Sequence, residues 1–294
     1  MNIGFIGAGK AGTALGRYLV DHNHTVVGYA SASYTSAQSA ASFTQSSAFA
    51  SNIELVQASD LVFITTPDGV ISSVWHELLD AHHAGSLSLT SKLVFHCSGC
   101  CSSKVFVNAH DVGAWVGSAH PLLAFGNKET AHVQVASAHF SVEGDARALE
   151  VVVPLLKSLG NTVHVLNAAD KNRYHAAAVF ASNLVLAPLD TAVKLLEQCG
   201  FSEVDARAAL KPLVCENIEN FFHLGAPGAL TGPVERADLS TVENHLQVLD
   251  SNQTALYCVL TQILIEIAKQ KHPNRTYEGW TEVLDKEKEN YKCR

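Results

Sequence analysis

A seven-residue stretch, 95–101 (FHCSGCC), combines a histidine, a serine and three cysteines, side chains that could bind a metal, exchange disulfides or handle protons. Cys97 and Cys100 form one CxxC pair, but a zinc site of this kind needs a second pair of ligands, and the sequence has none nearby. A dithiol redox centre is disfavoured because a glycine-containing turn stands where such enzymes begin a helix. We therefore predict no metal, and an active-site edge at which Ser98 contacts the substrate.

A second stretch, 117–121 (GSAHP), places His120 at the end of the next predicted strand. In a doubly wound sheet, ligands bind at the carboxyl ends of the strands, so Ser98 and His120 are expected near the same reacting atom. His120 is predicted to be a general acid or base, because the ordinary pKa of histidine is close to neutral. The alternative is a strand-end histidine bonded to the backbone before Pro121.

A glycine pattern, 7–12 (GAGKAG), follows the first predicted strand and opens a helix, a context typical of dinucleotide-binding domains. Gly7 permits the tight turn, Gly9 lets the backbone approach a pyrophosphate, and Gly12 allows the helix to pack closely on the strand. The helix N-terminus offers unpaired N–H groups to the phosphates. A glycine turn without a ligand is the alternative. The predicted cofactor-binding residues are Gly7, Ala8, Gly9, Lys10, Ala11, Gly12, Ser31, Ser33, Thr66 and Pro67.

The end of the second strand distinguishes NAD from NADP in domains of this type. The stretch 29–35 (YASASYT) has neither the acid that binds the ribose hydroxyl nor the arginine that accommodates a 2′-phosphate. Without an acid nothing repels that phosphate, and Ser31 and Ser33 could donate to it, so the sequence favours NADP. Alternatively, these serines cap the following helix.

Apolar strands alternate with helical patterns along the first part of the chain and would position these residues. The predicted strands are 2–6, 25–30, 60–68, 92–99, 114–121, 139–144 and 162–166. This alternation predicts a parallel sheet covered on both faces. Later residues show only helical patterns, including one at 169–200 with a kink expected near Pro188. We predict an α/β fold, with a doubly wound Rossmann domain over residues 1–166 and an all-α domain over residues 167–294.

Composition and charge restrict the class of protein. A chain of 294 residues, 47% hydrophobic, can form two domains with real cores. A net charge of −8, with acids and bases mixed along the chain, disfavours binding to nucleic acid or to a membrane surface. No apolar run is expected to span a bilayer. Seven cysteines, an odd number, favour reduced thiols and a cytoplasmic location.

The helical domain contains the apolar run 255–268 (ALYCVLTQILIEIA), which has more apolar residues than a surface helix needs. It predicts a homodimer formed through the helical domains. The alternative is a helix buried within its own domain.

Several motifs together resemble a known family. They are 4–16 (GFIGAGKAGTALG), 94–99 (VFHCSG), 117–125 (GSAHPLLAF), 174–183 (YHAAAVFASN) and 232–238 (GPVERAD). From residue 2 to about residue 267 the chain resembles the Rossmann-like proteins that carry domain of unknown function 2520. The resemblance implies an architecture similar to that of pyrroline-5-carboxylate reductases, 3-hydroxyacid dehydrogenases and prephenate dehydrogenases, with a C-terminal domain like that of 6-phosphogluconate dehydrogenase. It implies no particular substrate.

Two departures limit what the resemblance transfers. The second strand of the family commonly ends in a Ser-Arg-Ser-like stretch, but residues 31–33 read SAS, so the arginine that would favour NADP is missing. The 3-hydroxyacid dehydrogenases carry a lysine four residues before an asparagine, and here Val179 precedes Asn183 by four. His175, two turns before Asn183 on roughly the same helix face, stands there instead. His120 matches the histidine that bonds the substrate hydroxyl in prephenate dehydrogenases.

These observations predict an NAD(P)-dependent oxidoreductase that transfers hydride between a nicotinamide cofactor and a small hydroxy acid, keto acid or imine carrying a carboxylate. Two other classes stay open: a non-catalytic NADP-binding regulator or scaffold, and an NADP-linked reductase of a diffusible cofactor. The predicted catalytic residues are His120, Ser98, His175 and Asn183.

Arg236 is the candidate for binding the substrate carboxylate, because a guanidinium binds carboxylates through two parallel hydrogen bonds. The alternative is a structural ion pair with Glu235 or Asp238. Tyr174 and His245 are further candidates for the polar wall of the substrate site.

Overall fold

The structure, a computed structural model, describes residues 1–127 and 130–292, with side chains described up to residue 286. One sheet has the strand order β3-β2-β1-β4-β5-β6-β7-β8. Its strands are β1 (Asn2–Ile6), β2 (Thr25–Ala30), β3 (Ser47–Ala48), β4 (Leu61–Ile64), β5 (Leu93–His96), β6 (Trp115–Pro121), β7 (Phe140–Gly144) and β8 (Val163–Val165). The predicted Rossmann-like sheet followed by a helical region is confirmed.

One pair of strands departs from the parallel pattern. β6 and β7 are antiparallel, with Pro121 opposite Phe140, because the chain turns back at the same edge of the sheet. All other neighbouring strands are parallel. The carboxyl ends of β1, β2, β4, β5 and β6 therefore share one edge.

In the part of the chain that the structure describes, seven α-helices accompany the sheet: α1 (Lys10–Asp21), α2 (Tyr34–Thr44), α3 (Asn52–Ala58), α4 (Asp68–His83), α5 (Ala131–Val135), α6 (Ala146–Ser158) and α7 (Lys171–Ala181). Alternate residues of the central strands face opposite sides of the sheet, as the period of a strand requires. Phe5 and Phe63 pack in one core with α1, α2, α5 and α6. Ile6 and Ile64 pack in another with α3 and α4. Both faces of the sheet are covered.

The chain divides into two compact units, Met1–Ser182 and Asn183–Arg294. The second contains α8 (Leu186–Gln198), α9 (Glu203–Ala229, broken at Gly225), α10 (Leu239–Leu246), α11 (Ser251–Lys271) and α12 (Trp280–Lys292), around a core of its own. The first unit includes α7, which follows the predicted boundary at residue 166, and that boundary stays a prediction.

The predicted single helix at 169–200 is wrong in one detail. α7 ends at Ala181 and α8 begins at Leu186, so the break precedes Pro188. Pro188 lies in the first turn of α8, where its missing N–H has no intrahelical partner to lose. The proline therefore starts a helix rather than bending one.

Residues 168–198 form a helical stretch that is long and apolar enough to cross a membrane by length and composition alone. The expectation that no apolar run reaches this length is wrong by that criterion. The start of the stretch is nevertheless part of the first unit, where Lys171 is buried against the sheet.

Candidate active site

A cavity of about 690 Å³ opens at the carboxyl ends of β1 and β4, where the direction of strand order reverses. Such switch points are where doubly wound sheets bind their ligands. The predicted cofactor residues that line it are Gly7, Ala8, Gly9, Ser31, Thr66 and Pro67.

The glycine turn leaves no room for a side chain at Gly7 and Gly12, but it has open space at Gly9. Gly7 has a φ of +106°, and a Cβ there would lie 2.9 Å from the carbonyl carbon of Thr65. A Cβ at Gly12 would lie 2.3 Å from Thr65 Oγ1, so only glycine lets α1 approach β4 this closely. Gly9 caps α1, and a Cβ there would meet nothing within 4 Å. The open side of the turn is where a pyrophosphate would bind.

Two features of the cavity fit a dinucleotide. The hydroxyl oxygen of Thr66 is buried and has no hydrogen-bond partner among the described residues. The first turn of α1 carries no acidic residue, so its unpaired N–H groups remain available to an anion. Thr65 donates to the carbonyl oxygen of Gly7 at 2.8 Å and holds the turn in place. The residues present therefore suit the phosphates and hydroxyls of a nicotinamide dinucleotide.

The remaining predicted cofactor residues lie outside the described lining of this cavity. Lys10 and Ala11 belong to α1, and Gly12 is buried against Thr65. The side chain of Ser33 caps α2, accepting the N–H of Ser36 at 3.3 Å. The capping alternative considered from the sequence is thus present at this serine.

Ser98 lies in the turn after β5 and is 6% exposed. Its hydroxyl donates to Asp68 Oδ2 at 2.7 Å and accepts the backbone N–H groups of Cys100 and Cys101 at 3.2 and 3.0 Å. A serine hydroxyl has a single hydrogen, which here goes to the Asp68 carboxylate. Ser98 therefore shapes the turn, and its predicted contact with substrate stays a prediction.

His120 lies near the end of β6, half-buried, with Nδ1 2.8 Å from Tyr174 Oη on α7. Burial lowers the pKa of His120 to about 4, and the charges of Lys171 and His175 act in the same direction. The imidazole is therefore neutral near pH 7. Burial raises the pKa of Tyr174, so the phenol keeps its proton.

His175 approaches His120 beside a glycine. The two ring centroids are 6.2 Å apart, with the ring planes nearly perpendicular. A Cβ at Gly99 would lie 2.6 Å from His175 Nδ1 and 3.0 Å from His120 Nε2, so only glycine fits between them. His175 Nδ1 is buried without a hydrogen-bond partner in the described part of the chain. His120 Nε2 and His175 Nδ1 therefore both lie close to Gly99.

Sequence reasoning missed a buried lysine at this site. Lys171, 1% exposed, donates to the carbonyl oxygen of Ser98 at 2.8 Å and to Ser118 Oγ at 3.1 Å. The available signal was its spacing, because a lysine four residues before His175 shares its helix face. Because lysines are rarely buried, this spacing alone does not predict a buried lysine.

Two family models match this chain. Residues 2–90 match the model described as NADP oxidoreductase coenzyme F420-dependent, and residues 138–263 match domain of unknown function 2520. The predicted family resemblance is confirmed. The predicted class, an oxidoreductase enzyme that uses a nicotinamide cofactor, is also confirmed.

Solved structures share the fold over nearly the whole chain. Protein BF3122 of Bacteroides fragilis is 23% identical, with a TM-score of 0.72, covering 90% of this chain and 98% of that one. Pyrroline carboxylate reductase of Plasmodium falciparum, solved with NADP bound, is 15% identical, with a TM-score of 0.58 and coverages of 92% and 98%. An imine reductase from Pseudomonas sp. is also 15% identical, with a TM-score of 0.60 and coverages of 99% and 94%. No curated protein sequence matches this chain.

Within the region matched to domain of unknown function 2520, Arg236 is exposed in the loop before α10. The two acids considered as its partners are engaged elsewhere: Glu235 pairs with His272 and Arg275, and Asp238 accepts the N–H of Thr241 to cap α10. Among the described residues, neither acid forms an ion pair with Arg236. Its role toward a substrate carboxylate stays a prediction.

The same region contains two other candidates, Asn183 and His245. Asn183 begins the second unit. His245 Nδ1 lies 2.8 Å from Tyr257 Oη. Their catalytic roles stay predictions.

The cysteines around the Ser98 turn are free thiols. Burial raises the pKa of Cys97 to about 12, so its thiol stays protonated. In the ranges that the structure describes, no group of three or more His, Cys, Asp or Glu side chains is arranged to hold a metal ion.

Proposed function

We propose that the protein transfers hydride between a nicotinamide dinucleotide at the glycine turn and a small imine, keto acid or hydroxy acid that carries a carboxylate. The convergence of His120 Nε2 and the unpaired His175 Nδ1 beside Gly99 carries the proposal. These nitrogens lie at the carboxyl edge of the sheet, the edge at which the dinucleotide cavity opens.

When bound, the cofactor supplies or accepts the hydride. The open N-terminus of α1 would hold its phosphates, and the unpaired hydroxyl of Thr66 would bind a polar group of the same molecule. Ser31 could donate to a 2′-phosphate, which supports NADP as the preferred form.

Reduction of a carbonyl also requires a proton, which the His120–Tyr174 pair can deliver. With Tyr174 donating to Nδ1, the neutral imidazole carries its hydrogen on Nε2 and donates it to the substrate oxygen. A developing alkoxide is a stronger base than a phenolate, so the proton on Nε2 passes to the oxygen as the Tyr174 proton passes to Nδ1. Water then restores the phenol. In the oxidation direction the same protons move in reverse.

A reductase of a diffusible cofactor is the second candidate, since the N-terminal family match is to coenzyme F420-dependent NADP oxidoreductases. The test is a screen of purified protein that follows cofactor absorbance, with NADH and NADPH against cyclic imines, keto acids and an oxidised deazaflavin, and with NAD+ and NADP+ against hydroxy acids. Turnover of an imine, keto acid or hydroxy acid supports the proposal, and turnover of the deazaflavin alone supports the second candidate. Binding of dinucleotide without any turnover would favour a non-catalytic binder.

Gly9→Asp is expected to abolish binding of both NAD and NADP, because it places a carboxylate at the open side of the glycine turn. A Cβ at this position meets nothing, so the fold should be unaffected. Calorimetric titration measures the binding. Gly126→Asp is the control, since a Cβ there also meets nothing, and it should bind as the parent does.

The same calorimetry tests the cofactor preference. Tighter binding of NADP than of NAD by the parent is expected. Tighter binding of NAD would contradict the NADP preference. Unaltered binding by Gly9→Asp would place the dinucleotide elsewhere.

The second unit supports the homodimer. α8 and α9 leave large apolar side chains uncovered, among them Leu186 (61% exposed), Leu213 (61%) and Phe222 (76%). Exposed apolar surface of this extent usually marks an interface. In the predicted run on α11, Cys258 is buried in the unit's own core while Ile263 is 55% exposed, so burial within the domain accounts for only one face of that helix. A second copy of the chain, bearing the same apolar face, would cover it.

Phe222→Asp is expected to convert a dimer into a monomer, because it places a charge in an apolar contact. Light scattering at micromolar concentration gives the mass. Val133→Asp is the matched control: Val133, on α5 of the first unit, is 68% exposed and should leave the mass unchanged. A monomeric parent would contradict the homodimer.

A further inference from the structure

We propose that Lys171 is the positioning residue of this site, tying the start of α7 to the carboxyl ends of β5 and β6. Through α7 it sets Tyr174 and His175 against His120. The inference rests on the proposed function, in which His120 handles a proton.

The ammonium of Lys171 is held by two elements of the sheet. It donates to the carbonyl oxygen of Ser98, in the turn after β5, and to Ser118 Oγ, within β6, at 2.8 and 3.1 Å. It also lies 5.9 Å from the ring centroid of Tyr174. Taking an ammonium out of water is costly unless other acceptors replace the water. These contacts therefore fix where the first turn of α7 can lie.

Ser118 connects the Lys171 ammonium to a buried carboxylate, that of Glu143. Glu143 on β7 is 2% exposed, and its Oε1 accepts from Ser118 Oγ at 2.8 Å. Ser103 donates to the same carboxylate twice, through its N–H at 2.7 Å and its hydroxyl at 2.8 Å. Lys171, Ser118 and Glu143 thus form a buried chain of hydrogen bonds across three elements. Removing one charged end would leave the other without compensation.

Because Lys171 fixes the first turn of α7, it also fixes the positions of the residues that follow on the same helix face. Tyr174 and His175 follow Lys171 by three and four residues, so all three share one face of the helix. Because the first turn is fixed to the strand ends, that face is turned toward them. Tyr174 Oη consequently reaches His120 Nδ1 at 2.8 Å. Lys171 thereby decides which groups of α7 surround His120.

The charge of Lys171 also acts on His120. Besides the bonded tyrosine, the charged or titratable groups facing His120 are Lys171 and His175 on α7, Asp68 on α4 and His96 on β5. Burial lowers the pKa of His120 most, Lys171 and His175 lower it further, and Asp68 opposes them. Removing the lysine charge should therefore move the titration of His120 to higher pH.

The experiment is an NMR titration of the His120 ring in the full chain, comparing the parent with Lys171→Met and Lys171→Arg. The chain has fifteen histidines, and His120→Asn identifies the signal by its loss. Lys171→Met should shift the His120 titration to higher pH and remove the spectral signature of the hydrogen bond to Tyr174. Lys171→Arg keeps the charge and should restore the titration more fully than the hydrogen bond.

Lys92→Met is the matched control. Lys92 also donates to backbone carbonyl oxygens, those of Gln57 and Ser59, but it precedes β5 and so lies at the opposite edge of the sheet. Its loss should leave the His120 titration unchanged. If Lys171→Met does not fold, the variant Lys171→Met with Glu143→Gln removes both buried charges and keeps an acceptor for Ser118.

An unchanged His120 titration in a folded variant without Lys171 would overturn the proposal, as would an equal shift in Lys92→Met. The measurement needs neither dinucleotide nor substrate. If the parent turned over no substrate, the proposed function would fail while the titration would still report on Lys171.

Discussion

Replacing His120 with asparagine is expected to lower turnover about 10²–10⁴-fold, the usual contribution of a positioned proton donor. Asparagine is polar and of similar size, but it cannot pass a proton from Tyr174 to the substrate. Dinucleotide binding should be unchanged, because His120 does not line the cavity at the glycine turn. Steady-state kinetics with a substrate from the screen measures the loss, and calorimetry checks the binding.

Ser98→Ala is the matched comparison and should cost less than His120→Asn. It removes one hydroxyl that bonds Asp68 and two backbone N–H groups, rather than a group that carries the proton. If His120→Asn turned over substrate at the parent rate, His120 would be structural. The proton would then have to come from His175.

Acidification from about pH 6.5 to about pH 4 is expected to destabilise the protein. His96 is fully buried, and burial lowers its pKa from 6.5 to about 4. The unfolded chain therefore binds a proton below about pH 6.5 that the folded protein accepts only near pH 4. Stability from neutral His96 is fully present above the unfolded pKa and lost as pH falls through the folded pKa. At about 1.4 kcal/mol per pKa unit, the free energy of unfolding falls by roughly 3 kcal/mol.

His96→Gln separates this effect from general acid sensitivity, because an amide does not titrate in this range. The fall in Tm between about pH 7 and about pH 4 should be smaller in His96→Gln than in the parent. His76, an exposed histidine on α4, is the control, and His76→Gln should respond to pH as the parent does. An undiminished fall in His96→Gln would contradict the account of His96.

Seven of the eight described strands and the glycine turn could be predicted from the sequence because both depend on local patterns, whereas the two-residue strand β3 (Ser47–Ala48) was not predicted. Apolar runs report burial, and the glycine spacing reports a turn. The direction of β7 could not be predicted in this way, because a buried strand has the same composition whether it runs parallel or antiparallel. The sequence also could not show that Pro188 lies in the first turn of α8, because it did not reveal where that helix begins.

The candidate site was predictable only in outline. Because ligands bind at the carboxyl ends of the strands in a doubly wound sheet, Ser98 and His120 were predicted at that edge. In the structure both follow or end strands at the carboxyl edge. The sequence could not show that the Ser98 hydrogen goes to Asp68, because that bond joins residues thirty positions apart. Nor could the sequence show that burial lowers the pKa of His120 to about 4. An ordinary histidine would make turnover change with pH near neutrality, whereas His120 should make it change near pH 4.

The central claim is hydride transfer from a dinucleotide bound at the glycine turn to a small carboxylate-bearing substrate. The most direct test uses NADPH deuterated at the transferable position of the nicotinamide ring, with mass spectrometry of the product. We predict one deuterium in the product formed from a cyclic imine or keto acid by the parent, and no labelled product from Gly9→Asp. Products without deuterium, or deuterium found only on the deazaflavin, would contradict the claim.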